Sequence, residues 1–155
     1  MSIDNHVVAK DKKIFSLTDK GTGIHVNVKA DDLKCKQILV DGGAISTTTE
    51  KKCDWCIRIY EETKPRYKLG TCLFIELKGS DFRKAYNQII NTILWFRKNV
   101  PDFKITKQTY VVMRGKIPRL TSSDQVLMLK FKSEYKSELR GVHSKTQLVY
   151  PETAI

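Results

Sequence analysis

The fold prediction depends most on the stretch LFIELKGSD, residues 73–81. Its apolar residues at odd positions share one face of an extended strand, whereas Glu76 and Lys78 share the other, because strand side chains alternate. A glycine ends the strand, and either Ser80 or Asp81 can cap a following helix. The pattern predicts a strand that brings a carboxylate and an ammonium group together on one face and then enters a helix.

A second strand is predicted in KKCDWCIRIYE, residues 51–61, which is rich in aromatic and β-branched residues. The loop ETKPRYKLG, residues 62–70, joins it to the first strand, so the two can pair as an antiparallel hairpin. One register places Asp54 opposite Lys78, and a register shifted by two residues places Asp54 opposite Glu76. In both registers two carboxylates and one ammonium group come close together on one face.

An amphipathic helix is predicted over residues 81–98, because apolar residues recur there at spacings of three and four. These residues are Phe82, Ala85, Tyr86, Ile89, Ile90, Ile93 and Phe96. Upstream, an apolar strand at Gln37–Val40 runs into Asp41-Gly42, a strong hairpin signal. Residues 1–30 show no helical period, which leaves short strands or a loosely ordered arm.

Three further elements are predicted downstream. Residues 104–116 indicate a strand that enters a basic turn, and residues 141–151 indicate a last strand. A second helix near 122–136 is expected on the opposite face of the sheet from the first helix or at an edge. Its apolar positions are Val126, Leu127, Leu129 and Phe131. The predicted fold is α/β, a single domain over residues 1–155 with a mixed sheet of four or five strands flanked by helices.

The formal net charge of +11 favours a polyanionic partner. Residues 1–80 hold 14 basic against 11 acidic residues, whereas residues 81–155 hold 14 against 6. The second half is therefore predicted to face phosphates, with a merely solvated basic surface as the alternative. The predicted nucleic-acid contacts are Lys64, Arg66 and Lys68 in the 62–70 loop, and Arg114, Lys116 and Arg119 after the strand that begins at residue 104.

The expected location is the cytoplasm. No apolar run approaches the 18 or so residues of a membrane span, and the N-terminal residues lack the apolar core of a signal peptide. We therefore expect no membrane partner, and we leave association as a homodimer open.

The four cysteines are predicted to be reduced thiols packed in the core. Cys53 and Cys56 form a C-x-x-C pair, which in another setting could bind zinc. In a strand, however, residues three apart point to opposite faces, which disfavours that interpretation.

Asp54 on one strand, the tripeptide ELK at 76–78 on the next and a helix after it resemble the PD-(D/E)XK nuclease superfamily. The segments CDWC, FIELKG and AYNQI look like the bacterial members that carry an ELKG motif. The resemblance covers about residues 37–95, within a core motif of 37–98, and implies a restriction-endonuclease-like core. The proline often found before the aspartate is replaced here by Cys53.

The resemblance implies a metal-dependent endonuclease that hydrolyses phosphodiester bonds, most often in DNA, and leaves 5′-phosphate and 3′-hydroxyl ends. Asp54, Glu76 and the backbone carbonyl of Leu77 would bind Mg²⁺ or Mn²⁺, and Lys78 would assist the attacking water. A glutamine in the following helix, here Gln88, would also belong to the catalytic set. The alternative is a nuclease-like domain that binds nucleic acid or a protein without cutting.

Paired carboxylates suit this chemistry because hard cations prefer oxygen ligands and keep several waters, which leaves positions for a phosphate. Some members of the superfamily have one more acidic ligand. Asp41 and Glu50 are both candidates for it, and the sequence does not choose between them.

Overall fold

The computed structural model describes residues 3–19, 23–30, 34–45, 52–61, 68–77, 81–113, 120–143 and 147–149. Within them, a 3₁₀ turn at Ile3–His6 precedes ten strands and two α-helices. The strands are β1 (Val7–Lys10), β2 (Ile14–Thr18), β3 (His25–Lys29), β4 (Lys34–Leu39), β5 (Trp55–Glu61), β6 (Thr71–Leu77), β7 (Lys104–Ile105), β8 (Gln108–Met113), β9 (Glu138–His143) and β10 (Gln147–Val149). The helices are α1 (Phe82–Asn99) and α2 (Ser122–Tyr135).

Seven strands form one mixed sheet in the order β1-β4-β5-β6-β8-β9, with the short β7 also beside β6. Strands β1, β4, β5 and β6 pair antiparallel, and β8 and β9 continue parallel to β6. The α/β class and the mixed sheet are confirmed. The predicted count of four or five strands is too low, because the main sheet also contains β1 and β7, and three strands form a second sheet.

The second sheet has the order β10-β3-β2. The first 30 residues therefore supply three strands, β1 to β3, and the alternative of a loosely ordered arm is wrong for the described part of that segment. The segment predicted as one last strand contains the end of β9 and all of β10, which belong to different sheets. Neither helix described here is long and apolar enough to cross a membrane.

Both helices cover the same face of the large sheet. Helix α1 connects the parallel strands β6 and β8, and helix α2 connects the parallel strands β8 and β9, so both connections move across the sheet in the same direction. Because such connections are almost always right-handed, both helices lie on the same face of the sheet. Phe96 of α1 packs edge-on against Phe74 of β6, with ring centroids 4.9 Å apart. Phe131 of α2 joins the same buried cluster. Helix α2 packs against the outer strand β9, so the predicted edge position holds and the opposite-face position is wrong.

The small sheet covers the other face of the large sheet. Phe15, Leu17, Val26 and Val28 are fully buried there, in one cluster with apolar residues of β5, β6 and β8. The molecule thus has three layers, with helices on one side and a small sheet on the other. As a result every residue of β6 is buried.

Helix α1 follows its prediction closely. Asp81 is the N-cap, and its side chain accepts a hydrogen bond from the backbone N–H of Lys84 at 3.1 Å. Of the seven apolar residues in the predicted stripe, all but the half-buried Ile90 are buried.

Helix α2 follows its prediction in part, since two of its four predicted apolar residues, Leu127 and Phe131, pack against the core. Val126 and Leu129 are 62% and 69% exposed, whereas Phe131 and Tyr135 are buried. Leu127 and Met128 are half-buried and pack against the same cluster, so α2 buries one narrow side at the edge of the sheet.

Candidate functional site

Strands β5 and β6 bring Asp54 next to Glu76. Trp55 pairs with Ile75 and Cys56 with Phe74, so the same register, taken one residue further, sets Asp54 opposite Glu76. The register that places Asp54 opposite Lys78 is therefore wrong, and the register shifted by two residues is confirmed. Asp54 lies just before β5, and its Oδ2 atom accepts a hydrogen bond from the backbone N–H of Leu77 at 2.8 Å.

Glu76 is only 1% exposed, on the face of β6 that α1 covers. The ordinary alternative to an active site is a cross-strand salt bridge on a solvated face of the sheet. The burial of Glu76 is not consistent with that alternative. Its carboxyl group interacts with that of Asp54. The Oε1 atom of Glu76 is enclosed, with no hydrogen-bond donor to it among the described residues. Burying a carboxylate costs free energy unless a proton, a donor or a cation compensates it.

The electrostatic surroundings of Asp54 favour its protonated form. Burial is the largest cause of its raised pKa, and the negative charges of Asp19 and Asp41 raise this pKa further. Hydrogen bonding with Glu76 and with the Leu77 N–H opposes the shift. Such a group of carboxylates binds a proton or a cation more readily than an isolated carboxylate does.

Asp41 reaches the site through the turn after β4. The backbone N–H of Val40 donates to the Asp54 carbonyl at 3.0 Å, and that of Asp41 donates to the Cys53 carbonyl at 3.2 Å. Gly42 has φ +77°, a left-handed conformation that most other residues adopt only with strain. Asp41 therefore lies within electrostatic reach of Asp54, whereas Glu50, the other candidate for an additional acid, falls outside the described residues.

Helix α1 holds the backbone just before Asp54. Gln88 donates from Nε2 to the carbonyl of Lys52 at 3.2 Å, and Thr92, one turn later, accepts from the N–H of Cys53 at 2.8 Å. Gln88 is buried, and its Oε1 atom has no hydrogen-bond partner in the described part of the chain. The contacts of Gln88 indicate a residue that positions the Asp54 segment.

Thr92→Val removes one of these two contacts while keeping the side-chain shape. The buried N–H of Cys53 then loses its acceptor, so we expect the free energy of unfolding to fall by about 1–3 kcal/mol. Chemical denaturation measures this loss. Thr92→Ser keeps the hydroxyl group and serves as the control. If both variants unfold at the same denaturant concentration, the hydrogen bond to Cys53 is not what matters at this position.

Asp19 carries a charge that acts on Asp54, and the sequence did not connect these two residues. The indole Nε1–H of Trp55 donates to the carbonyl of Thr18 at 3.1 Å, which fixes the end of β2 beside the start of β5. Asp19 directly follows Thr18. Nothing in the sequence predicts that the charge of Asp19 acts on a residue 35 positions away.

Several predicted site residues lie outside the described residues. They are Lys64, Arg66, Lys78, Arg114, Lys116 and Arg119. Lys68 is described and exposed, just before β6, whose other end carries Glu76. At about 3.3 Å per strand residue, even Thr71 lies about 16 Å from Glu76. Lys68 therefore lies well away from the carboxylate pair, and its contact with nucleic acid stays a prediction.

All four cysteines are free and buried, as predicted. Cys53 and Cys56 nevertheless belong to the same hydrophobic cluster, which lies beneath the helices. The expected opposite orientation does not apply, because Cys53 precedes β5 and is not part of the strand. Burial raises the pKa of both thiols well above the usual value. These thiols therefore remain protonated and pack as apolar groups.

The donor set fits a hard divalent cation in part. Among the described residues no group of three or more His, Cys, Asp or Glu is arranged to hold a metal ion. Mg²⁺, however, commonly uses one or two carboxylates and completes its shell with water and substrate phosphate. Asp54 and Glu76 meet that smaller requirement, whereas the part of the Leu77 carbonyl stays a prediction.

Comparisons of the chain with protein-family models, curated proteins and solved structures give no match.

Proposed function

We propose that this chain is a Mg²⁺- or Mn²⁺-dependent endonuclease of the PD-(D/E)XK type, with a restriction-endonuclease-like core, that hydrolyses phosphodiester bonds, preferably in DNA. The observation that carries the proposal is the direct pairing of Asp54 with the buried Glu76 across β5 and β6. Helix α1, which follows β6 directly, packs behind this pair, in the order that the sequence resemblance requires.

In this proposal each described residue has a distinct role. Asp54 and Glu76 bind the cation, and the Leu77 N–H fixes the orientation of Asp54 by its hydrogen bond. The carbonyl of Leu77 is the third protein ligand. Gln88 holds the backbone before Asp54. When bound, the cation would lower the pKa of a water and offset charge on the attacked phosphate.

Lys78 supplies the positive charge of the proposed site. It directly follows Leu77, and strand alternation predicts that it shares a face with Glu76. An ammonium group there can orient the attacking water or stabilise charge on the phosphate, but as a cation it is not a metal ligand.

The nucleic acid is proposed to contact the basic segment after β8. The end of β8 lies beside the end of β6, since Leu77 pairs with Val112. Arg114, Lys116 and Arg119 follow within a few residues of Met113. The net charge of +11 supports phosphate binding of this kind.

Incubation of the purified chain with nucleic acids tests the proposal. We would use linear duplex, supercoiled circular and single-stranded DNA together with RNA, each with Mg²⁺, with Mn²⁺ and with EDTA. We expect cleavage in the presence of Mg²⁺ or Mn²⁺, no cleavage in EDTA, and 5′-phosphate ends that a ligase can join. Asp54→Asn, purified in the same way, excludes a contaminating nuclease.

The alternative function is that of a nuclease-like binding module. This alternative predicts DNA binding that weakens steeply with salt, but no cleavage with either cation. That combination of results would replace the proposed activity.

A further inference from the structure

We propose that β9 is the contact strand of a symmetric homodimer, in which two copies of the chain pair their β9 strands antiparallel. The large sheet then continues from one copy into the other, and the partner at this surface is a second copy of this chain. The inference concerns assembly and does not depend on the proposed function.

Strand β9 ends the large sheet among the described strands, and β8 is its neighbour on the inner side. The N–H of Glu138 donates to the carbonyl of Lys107 at 2.6 Å, on the side of β8. Alternate residues of a parallel strand bond the same neighbour, so the N–H and C=O groups of Leu139 and Gly141 point away from β8. They point to an edge at which a further strand can pair.

The two edges of the large sheet differ in regularity. At the opposite edge, the pairing of β1 with β4 shifts between Val7 and Ala9. An irregularity of this kind hinders the addition of another strand. The pairing of β9 with β8 runs through all six residues of β9 without a shift. The β9 edge is therefore the better template for a second copy.

Helix α2 places exposed apolar side chains beside that edge. Val126 and Leu129, which are three residues apart and so share one side of the helix, are 62% and 69% exposed. Leu129 also lines a groove of about 330 Å³ together with Met128 and Leu139, between α2 and β9. A two-fold axis at β9 would bring the second copy of α2 towards this groove, so that both copies bury apolar area.

The exposed charges of β9 favour one register of the pairing. Glu138 and Arg140 are both exposed and lie two residues apart, on one face of the strand. Antiparallel pairing centred on Leu139 places Glu138 of each copy directly opposite Arg140 of the other. Pairing centred on Arg140 would set two arginines against each other, and pairing centred on Gly141 would set Arg140 opposite Val142. The strand is therefore complementary to itself in charge when Leu139 lies on the axis.

The net charge of +11 opposes this association, because two copies of the chain repel each other. At about 0.3 M salt the Debye length is about 6 Å, which screens the repulsion between distant charges more than the attraction between charges in contact. The dimer is therefore best measured at that salt concentration.

Sedimentation velocity of the full chain tests the proposal, in EDTA and with bound nucleic acid removed. We expect monomer and dimer in an equilibrium that depends on concentration. Arg140→Glu replaces two attractive cross-strand pairs by two repulsive ones, so the dimer dissociation constant should rise at least about tenfold. Glu138→Arg should have the same effect, and the double variant Glu138→Arg/Arg140→Glu should restore the original dissociation constant.

The matched control is Lys84→Glu, the same reversal of charge at an exposed residue in the first turn of α1. Lys84→Glu and Arg140→Glu lower the net charge equally, which by itself would favour association. Weaker association of Arg140→Glu than of Lys84→Glu therefore reports the β9 contact and not the overall charge. Hydrogen exchange gives a second measurement, because the amide of Leu139 should exchange more slowly at concentrations where the dimer predominates.

Three results would overturn the inference. The first is sedimentation as a monomer even at millimolar concentration. The second is a dimer that neither Arg140→Glu nor Glu138→Arg weakens, since such a dimer forms through another surface. The third is a double variant that associates no better than the single variants. Thermal unfolding checks that each variant is folded, and if Arg140→Glu is not, Glu138→Arg provides the same comparison.

Discussion

Glu76→Gln is expected to reduce metal-dependent cleavage by at least about a thousandfold while the chain remains folded. A cation contributes several kcal/mol to transition-state stabilisation, and each 1.4 kcal/mol corresponds to a factor of ten in rate. Glutamine has nearly the same volume as glutamate, so the buried position next to Asp54 stays filled. Because the change removes one of two interacting carboxylates, we expect the free energy of unfolding to stay the same or rise.

Single-turnover cleavage and denaturant unfolding, measured on the same preparation, check both parts of this expectation. Asp54→Asn should behave similarly, because its side-chain oxygen can still accept the hydrogen bond from Leu77. Asp54→Ala should lose cleavage as well, but it leaves that N–H without an acceptor and should be less stable by about 1–3 kcal/mol. Cleavage by Glu76→Gln at the original rate would show that the pair is structural.

The alternation of side chains in residues 73–77 was enough to predict which residues of β6 share a face, although not that both faces are buried. Phe74 lies under the helices and Leu73 under the small sheet, as a period of two requires. The stripe of α1 was predicted just as directly, because a period of 3.6 over 18 residues leaves little ambiguity. Both signals are local and repeat several times within one element.

The features that the sequence did not determine depend on contacts between distant segments. Both hairpin registers keep Asp54 and Glu76 on one face, so alternation alone could not choose between them. The burial of Glu76 requires α1 to pack over it, and the effect of Asp19 on the pKa of Asp54 requires the small sheet to pack against the large one. Such long-range contacts produce no pattern within either segment.

The lack of solvent around Glu76 bears on function as well as on packing. Glu76, like every residue of β6, is buried and lies in surroundings of low dielectric constant, and Asp54 beside it is half-buried. Charges interact more strongly there than in water, which would strengthen the binding of a cation and raise the effect of any nearby ammonium group. For this reason Lys78, next but one to Glu76, should have a large effect on rate.

Lys78→Ala should bind Mn²⁺ and DNA almost as tightly as the unaltered chain, yet cleave about 10²- to 10⁴-fold more slowly. An ammonium group cannot be a metal ligand, so its loss should appear in water activation and in charge stabilisation at the phosphate. Single-turnover rates at saturating DNA, together with a Mn²⁺ titration, separate these two effects. Lys84→Ala, a substitution of the exposed lysine in the first turn of α1, is the matched control and should cleave normally.

Lys78→Arg distinguishes the two roles that Lys78 could have. Arginine keeps the positive charge but cannot readily lose a proton, so it should restore little activity if Lys78 acts as a base, and more if Lys78 supplies charge alone. Cleavage by Lys78→Ala at the original rate would contradict both roles. The ELKG segment would then be an ordinary strand end, and nucleic-acid binding without cleavage would become the better account of this chain.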